Sequence, residues 1–311
     1  MTKFERLCLE NISPYSVLIA VVLTALLFLV RPAAVIVSDD MFTAIYGVKR
    51  EHYKRIEMSS RIFRRIKIVN VAIDAEAEAV AFAVEDAVKK PAFVVFPKRY
   101  MQAAQRYAKD CPKIKIFLLT ESNNEPQSME GIQILSTGTE LDYYRAGLCA
   151  AVLTKLPLET EEGTKITDYN KSILLITENE SDLIKGIFNT GVRKYSSDAG
   201  IEHFEKNSTD FSKIFKCVVI LGYETNFLNS NKNLSTKVVA KTWLDPLYAP
   251  PNAVVIIDDS PLAILPQITK YRFRKISPAP LKANSTFIIR FDRTETFTAL
   301  LALRTAVGKK L

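Results

Sequence analysis

The 311-residue chain is poor in the residues from which most enzymes build their sites: two histidines, four cysteines and ten glycines. It contains no Gly-x-Gly-x-x-Gly, no Walker-type phosphate loop, no His-Glu-x-x-His and no Gly-x-Ser-x-Gly. His52 and His203 have no Cys or Asp at useful spacing, so neither is expected to be catalytic or to hold a metal. Cys8, Cys111, Cys149 and Cys217 are too widely spaced for a Cys-x-x-Cys site or a disulfide scaffold and read as small buried hydrophobes. Cys8 also precedes the long apolar run instead of following it, which excludes the lipid-accepting cysteine of a lipoprotein leader. Low-complexity blocks are absent and 48% of residues are hydrophobic, enough for real cores and too much for a disordered chain. No enzyme activity, catalytic residue, metal or cofactor is expected.

What is present begins with an apolar run, Val17 to Val30, interrupted only by Thr24 and followed by Arg31 and Pro32. Fourteen helical residues span about 21 Å, against roughly 30 Å of hydrocarbon, and no small-x-small cleavage site follows. The expectation is an uncleaved signal anchor: an N-terminal transmembrane helix that places the chain in the cell inner membrane as a single-pass protein, its bulk extracytoplasmic. The flanking charges, Lys3 and Arg6 before, Arg31, Lys49 and Arg50 after, do not settle orientation. A buried N-terminal helix is the alternative.

Beyond Ala33, short β-branched runs alternate with longer amphipathic stretches, the pattern of parallel sheets covered by helices. Strands are predicted at Ala34–Ser38, Lys67–Ile73, Ala92–Phe96 and Lys113–Leu119, with helices at Met41–Phe63, Ala75–Lys90 and Tyr100–Asp110. Leu141–Lys155 is apolar around its circumference and reads as a buried helix. After a polar connection the pattern restarts with strands Ser172–Thr177, Ile201–Phe204, Cys217–Leu221, Lys237–Leu244, Ala253–Ile257 and Ser285–Phe291. Helices are predicted at Ser181–Tyr195, Thr209–Phe215, Pro261–Tyr271 and Thr294–Val307. Two successive α/β units of this kind leave a cleft lined by the C-terminal ends of their strands.

Three strings in this order resemble the basic-membrane-protein family of bacterial solute-binding proteins of ABC transporters. Glu140-Leu-Asp-Tyr-Tyr-Arg-Ala-Gly-Leu-Cys-Ala-Ala-Val-Leu-Thr-Lys155 is similar to that family's Glu-x-x-x-Tyr-x-Ala-Gly-x-x-Ala-Ala helix. Gln102–Leu119 is similar to its helix, Tyr-Pro turn and strand, and Leu183–Val192 to its helix with Phe-x-x-Gly. The resemblance implies an α/β fold of type I periplasmic-binding kind: two lobes, each a doubly wound parallel sheet. The expected division is residues 1–31 as cytoplasmic tail and anchor, 32–156 plus about 258–272 as first lobe, and 157–257 plus about 273–311 as second lobe. The chain departs from the family in its ligand loops: Ser38-Asp39-Asp40-Met41-Phe42 replaces a Gly- and Asn-containing loop, and Glu178-Asn179-Glu180 stands where glycines are expected.

The function implied is capture of a small polar ligand, nucleoside-like, for a transporter or sensor. A sugar or nucleoside site needs carboxylates that accept hydroxyl hydrogen bonds and an aromatic face. Asp39, Asp40 and Phe42 supply both after the first strand, although Asp39 or Asp40 can equally cap the following helix. Asp74, Glu121, Glu178, Tyr223, Asp245 and Asp258 also fall at or near strand ends, where caps and solvated groups are common; Trp243 is core or platform. Expected partners are the small-molecule ligand, a transporter permease or other membrane protein, and the membrane itself through residues 17–30. Lys49–Lys67 carries eight Lys and Arg against two Glu, a solvated face or one near anionic lipid. It lacks aromatic interleaving, so nucleic acid is not expected. A binding fold that has lost its ligand and serves as a membrane-tethered interaction protein is the competing expectation, and a doubly wound enzyme is the third.

Overall fold

The computed structural model describes residues 14–29, 33–38, 66–72, 74–121, 128–156, 170–177, 181–204, 215–221, 237–241, 253–259, 261, 263–290 and 297–309. The first element is α1, Pro14–Leu29. Two six-stranded sheets follow.

The first sheet holds β1 (Ala34–Ser38), β2 (Ile66–Asn70), β3 (Phe93–Pro97), β4 (Ile116–Glu121), β5 (Ile132–Thr137) and β11 (Leu281–Lys282), ordered β2-β1-β3-β4-β5-β11. All its pairings are parallel. Alternation of side chains along a strand explains its near-continuous apolar runs. Val35, Val37, Val94, Phe96, Ile116 and Leu118 meet α2 (Ala77–Ala87) and α3 (Met101–Asp110) through Val80, Val84, Ala103, Ala104 and Tyr107. Ala34, Ile36, Phe93, Val95, Phe117 and Leu119 face the other way, onto Ile264, Leu265 and Ile268 at α6 (Leu265–Tyr271).

The second sheet holds β6 (Asn170–Ile176), β7 (Gly200–His203), β8 (Phe215–Ile220), β9 (Lys237–Lys241), β10 (Ala253–Asp258) and β12 (Thr286–Ile289). Its order is β12-β10-β9-β8-β6-β7, and only β12 runs antiparallel to its neighbour. One face is covered by α4 (Glu140–Leu153), α5 (Asp182–Arg193) and α7 (Phe297–Gly308), which share a core with Ile173, Leu175, Cys217 and Val219. Both sheets therefore start from the order 2-1-3-4-5 of doubly wound folds. The chain passes between them three times: from β5 into α4, from β10 into α6, and from β11 into β12.

The expectation of a membrane-spanning anchor is overturned. Helix α1 has 16 residues, about 24 Å at 1.5 Å per residue, short of a hydrocarbon core of roughly 30 Å. Among the described residues no helix is long and apolar enough to cross a membrane. Arg31 and Pro32 follow the apolar run directly in sequence and interrupt it. The membrane-anchored description, the contact of residues 17–30 with a bilayer and the single-pass inner-membrane location fall with it, as does the tether of the competing interaction-protein reading.

Strand β5 and the short β11 stand where the sequence pattern predicts no strand, between β4 and α4 and after α6. The helices expected at Met41–Phe63 and Thr209–Phe215 lie outside the described residues, apart from Phe215, which opens β8. Most of the basic run Lys49–Lys67 lies outside them too.

Candidate functional site

The C-terminal ends of four strands, β1, β4, β5 and β10, carry hydroxyl or carboxyl side chains instead of the bulky apolar residues of their middles. Ser38 ends β1, Thr120 and Glu121 end β4, Ser136 and Thr137 end β5, and Asp258 ends β10. Ser38, Thr120, Ser136, Thr137 and Asp258 are buried, Asp258 completely, as is its neighbour Asp259. Thr120 pairs in register with Ser136, and Glu121 with Thr137. The Thr137 hydroxyl donates to the Thr120 carbonyl at 3.3 Å. Among the described residues the Ser136 hydroxyl has no hydrogen-bond partner.

Three of the residues singled out from the sequence are described. Asp258 closes β10 and lies opposite Thr286 of β12 in register. Glu121 closes β4, its side chain outside the described residues. Asp74 sits exposed in a turn after β2. Asp39, Asp40, Phe42, Glu178, Tyr223 and Asp245, with Trp243, lie outside the described residues.

The residues that sequence reasoning passed over form a clasp at the crossings. Strand β5 turns into α4 through Gly138, at φ 67°, a left-handed conformation that suits glycine, and Thr139. Asp142, in the first turn of α4 and 2% exposed, accepts the Thr139 backbone N–H at 3.3 Å. It also accepts the Ser285 N–H at 3.0 Å and the Ser285 hydroxyl at 2.7 Å. The Thr139 hydroxyl donates to Asn284 Oδ1 at 2.8 Å. Gln267 of α6 then brackets the Asn284 backbone, accepting its N–H at 3.0 Å and donating to its carbonyl at 2.6 Å. Residues from all three crossings are thus linked in one hydrogen-bonded set. Buried carboxylates are tolerated where several donors and a helix N-terminus surround them, and Asp142 has both.

Outside this clasp, the Lys282 ammonium lies 2.6 Å from Glu140 and holds its carboxyl below the usual carboxylate range. The Tyr143 hydroxyl is 2.9 Å from Thr177 Oγ1 and fixes α4 to the C-terminal side of β6. Lys216, buried on β8, donates to the Thr154 carbonyl at the end of α4, where a cation suits the helix dipole. Burial pushes the Cys149 thiol up to about 12 and raises that of Cys217 further, so both stay protonated. Among the described residues no three of His, Cys, Asp and Glu come together as a metal-binding group.

The signal that could have found the clasp is Thr139-Glu-Leu-Asp142, a Thr-x-x-acid spacing that marks a helix start. Chemically the arrangement can hinge. Short crossings are the kind of connection about which two packed sheets can turn.

Two doubly wound sheets, each begun 2-1-3-4-5, and three crossings between them decide the architecture. The chain folds as two doubly wound α/β units joined by three crossings, the architecture that the resemblance implied. No protein-family model and no curated protein matches the sequence. Among solved structures it is similar to a transcriptional activator of the comK gene from Bacillus halodurans, with 9% identity, 89% of this chain and 98% of that one covered, and a TM-score of 0.48. A solute-binding protein of an ABC transporter system from Conexibacter woesei shares 10% identity over 90% of this chain and 98% of that one, with a TM-score of 0.49. An ABC-transporter solute-binding protein from Agrobacterium vitis, bound with α-D-tagatopyranose, shares 13% identity over 90% and 100%, with a TM-score of 0.43. With identities this low and TM-scores below 0.5 in all three, the fold assignment stands on the strand orders and the crossings.

Proposed function

We propose that this chain is a non-catalytic binding protein that captures a small polar ligand, nucleoside-like in its hydroxyl groups, between the strand ends of its two lobes. The observation that carries the proposal is the placement of Asp258 at the end of β10, next to the β10–α6 crossing. A carboxylate there can accept hydroxyl hydrogen bonds when the lobes part and close. In this reading Asp39, Asp40, Phe42, Asp74, Glu121, Glu178, Tyr223 and Asp245 remain the further ligand-contact candidates that the sequence supplies. The finer assignment to the basic-membrane-protein family, and delivery of the ligand to a transporter or sensor, rest on the three sequence strings and belong to the same proposal.

The test is a thermal-shift screen of the full chain against nucleosides, sugars and amino acids, followed by mass spectrometry of the native protein for a retained small molecule. A nucleoside or sugar that raises the melting temperature, and fails to do so in Asp258→Asn, supports the proposal. An intact fold that responds to none of the three classes and carries no small molecule refutes it.

A second reading has one observation in its favour: Asp258 and Asp259 are both completely buried. A binding fold that no longer opens would hide these groups for good and serve as a protein-interaction body. Tryptic footprinting with and without ligands separates the readings, because a permanently closed chain gives one pattern under all conditions.

A further inference from the structure

The turn that ends α6 carries chemistry that ligand capture does not use. From Pro261 to Phe291 the sequence has six Lys and Arg and no Asp or Glu. Four of the six, Lys270, Arg272, Arg274 and Lys275, fall on the last turn of α6 and the residues just after it. Among the described residues none of the four is paired with a carboxylate. Phe273 stands among them 79% exposed, with Ile276 at 43%. The Arg272 guanidinium lies 4.0 Å from the centre of the Phe273 ring, and that of Arg274 lies 5.1 Å from the Tyr271 ring. Arg272 Nε is buried and has no acceptor among the described residues.

The backbone of this turn is fastened from behind. The Tyr271 hydroxyl donates to the Lys282 carbonyl at 3.0 Å, the Lys115 ammonium donates to the Arg274 carbonyl, and Gln133 accepts the Ser277 N–H at 2.8 Å. Lys115 directly precedes β4 and Gln133 is the second residue of β5, so the turn lies at the N-terminal ends of these strands. That is the opposite end of the first sheet from Thr120, Thr137 and the crossings. A ligand site at the strand C-termini does not account for it.

We propose that this cationic, aromatic turn is a docking surface for an acidic segment of another protein, with carboxylates on Arg272 and Arg274 and an apolar side chain against Phe273. Charge complementarity selects the partner: the turn offers cations that pair with no carboxylate among the described residues, and no acid of its own. Arginine forks grip carboxylates, and arginine and aromatic residues are the usual anchors of protein interfaces. Because the turn is held in place, little order is lost on binding. Single-stranded nucleic acid fits less well, since Arg272 already covers one face of Phe273 and the cations sit on one turn instead of lining a groove. A bilayer surface calls for a broad apolar face, which Phe273 and Ile276 alone do not make.

The experiment uses the full chain and three fluorescent probes: a 20-residue glutamate-rich peptide with one tryptophan, a 20-nucleotide oligothymidylate, and phosphatidylcholine vesicles containing phosphatidylserine. The expected result is saturable binding of the peptide at low salt, weakened by at least about tenfold in Arg272→Glu/Arg274→Glu and by about threefold or more in Phe273→Ala. Phe273 and Arg274 are exposed and Arg272 is half-buried, so an unchanged melting temperature in each variant is the check that the fold is kept. Absence of saturable peptide binding, or binding that both variants leave unchanged, overturns the proposal. So does tighter binding of the oligonucleotide or the vesicles that the same variants abolish.

Discussion

Gly147 of α4 and Gly191 of α5 meet where the two helices cross, each against the other's backbone. A Cβ added at Gly147 would lie 2.4 Å from the Phe188 carbonyl oxygen, and one added at Gly191 would lie 2.3 Å from that of Tyr144. Neither oxygen can swing aside as the end of a flexible side chain could. The glycines in the Tyr-x-Ala-Gly and Phe-x-x-Gly strings therefore have a packing role: they let α4 and α5 pack backbone to backbone over the second sheet.

Gly147→Ala and Gly191→Ala should each destabilise the protein by about 1–3 kcal/mol through overpacking. Gly186, also in α5, has nothing within 4 Å of an added Cβ. Gly186→Ala should stabilise by up to about 1 kcal/mol through helix propensity. Urea midpoints of the three variants check this, and the opposite signs are the informative part.

Asp142→Ala should cost about 3 kcal/mol, because it leaves the buried Thr139 and Ser285 donors without their acceptor. Ser285→Ala should cost roughly 1.5 kcal/mol, the value of one hydrogen bond to a charged group. Because both changes remove the 2.7 Å hydroxyl contact, the double variant should fall short of the sum by about 1 kcal/mol or more. Denaturant titration of the four proteins measures the coupling.

The Glu140–Lys282 pair gives a pH dependence of known sign. Its carboxyl titrates lower in the folded chain than in the unfolded one, so its contribution is complete above the ordinary Glu value of about 4.3. The contribution is lost as pH falls through the lowered folded value. Lys282 is 64% exposed and Glu140 33%, so solvent screening limits the pair to about 1 kcal/mol or less. Lys282→Met should lower the melting temperature slightly at pH 7 and leave it unchanged near pH 2.

Cys149 and Cys217 should resist thiol reagents at pH 8 until the protein unfolds, since both are completely buried and protonated. Cys111, half-buried, should react in the folded chain, although slowly, because burial and the neighbouring Glu85 also raise its thiol. Peptide mapping after brief alkylation distinguishes the three positions.

Much of the layered α/β pattern could be read from the sequence because strands buried on both faces leave near-continuous apolar runs. Ala34–Ser38 was placed to the residue, and the all-round apolar Leu141–Lys155 marked a helix that proves buried along most of its length. Strand β5 escaped because Gln133, Ser136 and Thr137 break its apolar run. Those residues serve other purposes: Gln133 pins residues 277 and 279, and Ser136 and Thr137 end the strand beside the crossing. The clasp was hidden for a different reason. Asp142 and Ser285 stand 143 positions apart, and no local pattern links them. Helix α1 shows the reverse case, in which a conspicuous run of apolar residues was legible while the length of the helix it forms was not.

Ala34, Ile36, Phe93, Val95, Phe117 and Leu119 are shielded from water by Ile264, Leu265 and Ile268. During synthesis on the ribosome this oily side of the earliest sheet is made long before its lid, and it stays bare while the whole of the other sheet but its last strand emerges. A chain cut short between Leu119 and Ile264 would lack the cover that residues 264–268 give this face, and exposed apolar surface of that kind favours aggregation.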